Sequence, residues 1–427
     1  MIFPIRWRIF GLLFGFGFLA YVQSKSITVA AADMMPGLHF TQFQISWIEW
    51  GFVLGYGLLQ LPGGVFGQRH GARRTFVVFG VGAFIATLAM PIAPFWLHGT
   101  GLFVALLLVQ LLLGCSQAGL FPVSSGVFET WFPPRWWASV QGLQTMGLSL
   151  GAALTPPLIS RLMGDMGWQR ALVWASLPAI PLILLWAWYG RNSPREHPSI
   201  TPRELEIIGT HAGSTVDSRI DLARIMRILR DRNVVLLALS YLCMNYSFYL
   251  LSNWVFLYLV QERHFSKLES GWLATAPPLA AALGAGIGGV MTAAACQRLG
   301  NRWGYRLVPL LALPAGGALL LLAEYAASPY WALAGLATCF CVIELCEGAF
   351  WGGAMTVGRG DTMATSGVMN TGGNLGGIIG IPLVGYLTGQ HLWKLAFLIG
   401  VAFAMAAAVA WLWIEVDVPG VDRGPKP

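Results

Sequence analysis

The sequence predicts an all-α membrane protein with twelve transmembrane helices in two pseudo-symmetric six-helix bundles. Three observations carry that prediction. Hydrophobic residues make up 56% of the 427 and charged residues 11%, against about a quarter charged in a soluble globular chain. Apolar runs such as 77–90 and 102–113 are long and unbroken, unlike the alternating ~10-residue segments of a membrane β-barrel. Short motifs also recur in the two halves at one fixed spacing. With a mean hydropathy of +0.64, this composition excludes a water-soluble enzyme, a disordered chain and a nucleic-acid-binding protein.

At ~20 residues per crossing, spans fall near 9–31, 45–66, 75–96, 100–127, 139–162, 169–189, 233–259, 269–296, 306–327, 331–357, 364–389 and 393–415. With the N-terminus inside, 20 of the 26 Lys and Arg lie on cytoplasmic segments, Arg219, Arg423 and Lys426 among them. Five (Arg161, Arg170, Arg263, Lys267, Lys394) lie outside, and Lys25 falls within span 1. That bias sets both termini in the cytoplasm and implies a bacterial inner (plasma) membrane, so the net charge of +7 reflects topology. Arg6 and Arg8 lead into an apolar stretch too long for a cleavable signal. The six cysteines form no CxxC pair and read as small reduced core residues.

The one long polar stretch divides the chain into an N-terminal six-helix bundle (1–190), a cytoplasmic linker (191–232) and a C-terminal six-helix bundle (233–427). Within the linker, 219–232 is basic and amphipathic and reads as a short helix at the membrane surface. The halves repeat at a spacing of 225: Gly142 with Gly367, Pro157 with Pro382, Gly63-Gly64 with Gly288-Gly289, Tyr21 with Tyr246. Duplicated bundles enclose a ligand site at their interface near the bilayer midplane. Glycine, 52 residues in all, clusters in spans 2, 5, 8 and 11, where it permits close helix approach for packing or for sliding.

The loop Gly64-Val-Phe-Gly-Gln68-Arg69-His-Gly71-Ala-Arg73-Arg74 resembles the signature G-x-L-a-D-r-x-G-r-r of the major facilitator superfamily. The likeness to its anion:cation symporter branch (sialin, hexuronate, galactonate and phthalate carriers) is closer. Tyr21–Ala30 resembles that branch's Y-x-D-R-x-N-L-S-V-A, and Gly114-Cys-Ser-Gln117-Ala-Gly-Leu-Phe121-Pro122 with Trp131-Phe132-Pro133 resembles G-x-x-E-A-x-x-F-P and W-F-P. The resemblance covers about residues 6–415. It implies alternating access around a cavity lined by spans 1, 4, 7 and 10. It also implies that Arg69, Arg73 and Arg74 gate the cytoplasmic end. The branch's Asp-Arg in span 1 is Gln23-Ser24 here, its span 4 Glu is Gln117, and the signature Asp is Gln68. Roles tied to those charges in substrate binding and proton coupling do not carry over.

Charges within a bilayer are costly and mark function. Lys25 on span 1 and Glu347 on span 10 are expected to face each other across the cavity, Lys25 as a carboxylate-binding cation and Glu347 as the proton-coupling acid. Glu344, three residues before Glu347, shares its face and joins the coupling pair. A structural ion pair is the alternative for Lys25. Tyr21, Gln117, Asn245, Tyr249 and Asn370 are the neutral substrate-binding candidates, with interhelical bonding as their alternative role. Trp351 is a candidate cavity wall.

No Walker A motif, zinc-ligand spacing or nucleophile elbow occurs, so neither an enzyme nor a cofactor is expected. The expected function is secondary active transport of a small organic anion, such as a sugar acid, coupled to protons, by a monomer in the lipid bilayer. A carrier of a neutral or cationic solute, or an exchanger without proton coupling, stays open because the Asp-Arg pair is missing.

Overall fold

The computed structural model describes residues 4–209 and 220–416; Arg219, Arg423 and Lys426 of the basic count lie outside that part. Twelve long helical segments run through it, here α1 to α12. The first six are α1 (Ile5–Leu38), α2 (Gln42–Leu58 and Gln60–His70), α3 (Ala72–Ile92), α4 (Gly99–Ala118 and Leu120–Trp131), α5 (Trp137–Met166) and α6 (Trp168–Ser176 and Ala179–Tyr189). After the linker come α7 (Arg232–Gln261), α8 and α9 (both within Ala276–Glu324), α10 (Pro329–Glu344 and Glu347–Val357), α11 (Thr362–Gly389) and α12 (Trp393–Ala410). α8 and α9 part at Gly300, whose φ of 75° interrupts the helix.

Among the described residues, eight helices are long and apolar enough to cross a membrane, and Ala276–Glu324, one of these, holds two crossings. The remaining three, α2, α5 and α11, are the ones rich in Gly, Gln and Asn. Outward faces are apolar: Leu184, Leu283 and Leu311 are 63%, 60% and 65% exposed. Inward faces bury Gln60, Gln117, Gln144, Asn370 and Glu344. A chain that turns its leucines out and its amides in is built for lipid.

Packing follows the repeat. α1 lies on α5 as α7 lies on α11, and α2 lies on α4 as α8 lies on α10. The halves meet through α5 with α8 and through α2 with α11. A Cβ at Gly142 would collide with Ala285 O and Gly289, and one at its repeat partner Gly367 with Gln60 and Leu61. Two further repeats appear. His39 and His264, 225 apart, both adopt a left-handed φ, 55° and 58°, after α1 and α7. Gln68-Arg-His-Gly71 is matched by Gln297-Arg-Leu-Gly300, each ending on a positive-φ glycine (80° and 75°) that separates two helices.

The linker is built onto the bundle. Within it, the helix Pro202–Ile208 carries Glu204, whose carboxylate accepts from the backbone N–H of Ile5 (3.2 Å) and Arg6 (2.9 Å) and lies 3.8 Å from the Arg6 guanidinium. It thereby caps the N-terminus of α1, which lacks a local cap. His197 is buried against Trp131 and Tyr189, and burial, then the charge of Arg191, hold its pKa below the ordinary value. The described part of the amphipathic run folds as Leu222–Arg230: Ile228 packs on Val234 and Val368 while Leu222 stays exposed.

Candidate functional site

A narrow cavity of about 40 Å³ lies between the halves. α1 contributes Tyr21, α2 Tyr56, α4 Phe121, and α5 Thr145 and Leu148. From the second half come Tyr241, Asn245, Phe248 and Tyr249 on α7, Glu344, Glu347 and Trp351 on α10, and Asn370 and Asn374 on α11. Tyr241, Asn245 and Tyr249 succeed one another every fourth residue, which puts them on one face of α7.

The break in α10 at Leu345-Cys346 sets Glu347 in the first turn of the helix that follows. Its carboxylate accepts from Tyr241 Oη (3.0 and 3.2 Å) and from Trp351 Nε1 (2.8 Å). Thr145 lines the same cavity from the other half. Glu344 contrasts with it: the side chain is fully buried, and neither carboxyl oxygen has a hydrogen-bond partner among the described residues. No Arg, Lys or His there pairs with either acid.

Opposite these acids runs a chain of amides and phenols. Asn370 Nδ2 donates to Gln60 Oε1 (2.8 Å) across the halves, and Tyr56 lines the cavity with Asn370. Asn374 Nδ2 donates to Asn370 O (2.7 Å), and Tyr249 Oη to Asn374 Oδ1 (2.8 Å).

Of the residues singled out from sequence, Tyr21, Asn245, Tyr249, Asn370, Glu344, Glu347 and Trp351 line this cavity, whereas Lys25 and Gln117 do not. The expected meeting of Lys25 and Glu347 is corrected. Lys25 sits one helical turn beyond Tyr21, about 6 Å along the axis, and the opposing charge that acts on it is that of Glu49 of α2. Gln117 is tied to α1: its Nε2 donates to Gln23 Oε1 (3.2 Å), and both side chains are buried. Tyr56, Thr145 and Tyr241 were missed. Tyr241 shares the every-fourth-residue pattern of Asn245 and Tyr249, and Thr145 is the repeat partner of Asn370, so both signals were present.

The linker-side end is sealed, though not by the three arginines expected to gate. Arg69 donates to Ile220 O of the linker (2.7 Å), and Arg73 to Ala187 O at the end of α6 (3.0 Å); Arg74 is exposed. Gln68 makes the crossing, donating to Asp361 Oδ1 (2.7 Å) and Gly360 O (3.2 Å). Arg224 of the linker pairs with the same Asp361 (2.7 Å), and Glu129 of α4 accepts from Gly360 N–H (3.1 Å). The positive charge in this latch comes from Arg224 of the linker, on Asp361, and from Arg359, which acts on Glu129.

A duplicated twelve-helix membrane bundle with a polar cavity between its halves defines a membrane carrier. The chain matches the Major Facilitator Superfamily over residues 13–359 and 266–427, and it belongs to that superfamily. It is 26% identical to a probable sulfoacetate transporter of Cupriavidus necator, over 98% of this chain and 97% of that one. It is 24% identical to the hexuronate transporter of Bacillus subtilis (96% and 95%) and to sialin of Ovis aries (85% and 73%). Its resemblance is thus to the anion:cation symporter branch. In fold it is similar to the transporter FucP in the outward conformation (TM-score 0.69, 16% identity, 96% of this chain and 100% of that one). It is also similar to the proton:xylose symporter XylE (TM-score 0.77, 13% identity, 96% of each). The protein is a transporter of this superfamily, not an enzyme.

Proposed function

We propose that the protein is a proton-coupled secondary carrier of a small organic anion, a sugar acid or another carboxylate, working by alternating access. The observation that carries this reading is the pair Glu344 and Glu347, buried in the cavity between the halves without a basic partner among the described residues. Two neighbouring ionised carboxylates without a cation, Glu344 with no hydrogen bond at all among the described residues, cost several kcal/mol each, so without substrate the pair holds at least one proton. An anion joins it only after protonation has removed the repulsion, and proton and anion then move together. Tyr21, Tyr56, Asn245, Tyr249 and Asn370 supply phenol and amide groups to the substrate. Lys25, a turn away, offers a positive charge at the cavity's edge, with Glu49 as its resting partner. Segments 1–190 and 233–427 move as the two bodies and 191–232 straps them, with both termini in the cytoplasm of a bacterial cell. The relatives that carry hexuronate, galactonate and sulfoacetate support the anion.

Uptake into proteoliposomes across a panel of sugar acids, other carboxylates and sugars, with and without a pH gradient, tests this. Saturable carboxylate uptake that rises as the outer pH falls is expected; uptake indifferent to pH sinks the coupling. A second reading has its own observation: the cavity lining holds two acids and neither Arg nor Lys among the described residues. A cationic solute suits such a lining, and it competes with the proton. Its uptake falls as the outer pH falls, the opposite sign in the same experiment.

A further inference from the structure

The two acids of the cavity differ in the surroundings that decide the charge of a carboxyl. α10 breaks between them at Leu345-Cys346, so Glu344 ends the segment Pro329–Glu344 and Glu347 begins Glu347–Val357. A helix favours negative charge in its first turn and disfavours it in its last. Glu347 accepts from Tyr241 Oη and Trp351 Nε1, and both bonds strengthen when it is ionised. Glu344 is 0% exposed, and neither of its oxygens has a hydrogen-bond partner among the described residues.

The neighbours of Glu344 supply no compensating positive charge. The titratable groups facing it are Glu347, Cys341 and Cys346 on α10, Tyr241 on α7 and Tyr21 on α1. α8 and α9 meet this stretch with glycines: Gly284 at Cys341, Gly288 at Leu345 and Gly316 at Ile343. α4, α5 and α11 line the cavity with neutral side chains. If the pair keeps one proton, helix position and hydrogen bonding both put it on Glu344. A protonated carboxyl is neutral and carries an O–H donor. Glu344 lines the cavity and has no acceptor within the described protein, so an acceptor from outside completes it. A carboxylate is the strongest kind of acceptor for such a donor, and among the described residues the lining has neither Arg nor Lys to compete for it.

We infer that Glu344 stays protonated through the transport cycle and binds the substrate anion as a neutral hydrogen-bond donor, while Glu347 takes up and releases the coupled proton. The first proton of the pair is then structural, and the second, on Glu347, removes the charge that repels the anion. This rests on the proposed proton-coupled carriage of an anion and names the group that meets it.

The test uses the full chain in proteoliposomes. In infrared spectra the carbonyl stretch of a protonated carboxyl, assigned to Glu344 by its loss in Glu344→Gln, stays constant from about pH 5 to about pH 8. A second such band, lost in Glu347→Gln, grows as the pH falls. Adding a carried carboxylate, with galactonate and sulfoacetate as the first probes, shifts the Glu344 band. In uptake, Glu344→Met raises KM about tenfold or more and keeps the dependence on the pH gradient. Glu344→Gln, neutral and still a donor, restores most of the affinity lost in Glu344→Met, whereas Glu347→Gln abolishes pH-driven accumulation. A Glu344 band that titrates in this range, or that a carried carboxylate leaves unmoved, overturns the inference. So does a Glu344→Gln protein that loses pH-driven accumulation. A wild type that carries cations and no carboxylate sinks the anion reading and the donor role with it, while a constant Glu344 band in the substrate-free protein still upholds the charge assignment.

Discussion

The two walls of the cavity descend from one repeat and have divided the chemistry between them. The first half presents Tyr21, Tyr56, Phe121, Thr145 and Leu148, with no ionised side chain; the second presents Glu344 and Glu347. Where the branch pattern has charges in the first half, this chain has Gln23, Ser24 and Gln117, and its two glutamines bond each other. Loss of charge from the first half, at positions outside the cavity lining, accompanies a pair of acids on the second half's wall. A repeat fixes where helices touch while leaving each wall free to carry its own charge.

The most severe test of that division is Glu347→Ala. It leaves Tyr241 and Trp351 unmet at about 1–3 kcal/mol each, and uptake in proteoliposomes falls by about 100-fold or more. Equal loss from Gln117→Ala would mean that the first wall shares the work. Next comes Gly142→Leu. Its side chain collides with Ala285 and Gly289, so the sealed linker end is lost and cysteine labelling there rises several-fold, as about 1–3 kcal/mol of overpacking implies.

Gln68→Asp restores the signature acid but sets it against Asp361, now 2.7 Å from the Gln68 amide. With Arg224 already committed to Asp361, the latch loosens, and label distances across the linker end lengthen; a tighter latch would show that the first half can still use its ancestral charge. Gln117→Ala should leave substrate affinity unchanged and lower the melting temperature, since the partner amide of Gln23 costs about 1–3 kcal/mol when stranded. The smallest effect lies in the linker. His197 is buried with a lowered pKa, so above about pH 6.5 it is neutral folded or unfolded. Below that value the unfolded chain takes up the proton first, and stability declines as the pH falls, until the folded pKa is passed. His197→Gln flattens that slope in thermal unfolding.

The fold was legible because lipid leaves few choices: long apolar runs, basic inner loops and a 225-residue spacing specify twelve helices and their pairing. The site was legible where a charged or amide side chain stood out in an apolar span, as with Glu344, Glu347 and Asn370. Lys25 stood out equally and misled, because hydropathy carries no helix azimuth and a nearer acid, Glu49, claims it. Tyr241 and Tyr56 passed unnoticed because a tyrosine in a membrane span reads as ordinary packing until its hydroxyl is seen on a carboxylate, as with Tyr241, or its ring in the cavity lining, as with Tyr56. Asp361, in the turn before α11, and Arg224, on the linker helix, are far apart in sequence, and their meeting depends on the closed end.

Glu204 meets the first helix across 199 positions of sequence. During synthesis the opening helix therefore waits, its leading amides unanswered, until the whole first bundle and part of the strap have left the ribosome. Completion of the first half is thus timed to the arrival of the second, and truncation before residue 204 leaves a six-helix fragment with a frayed beginning.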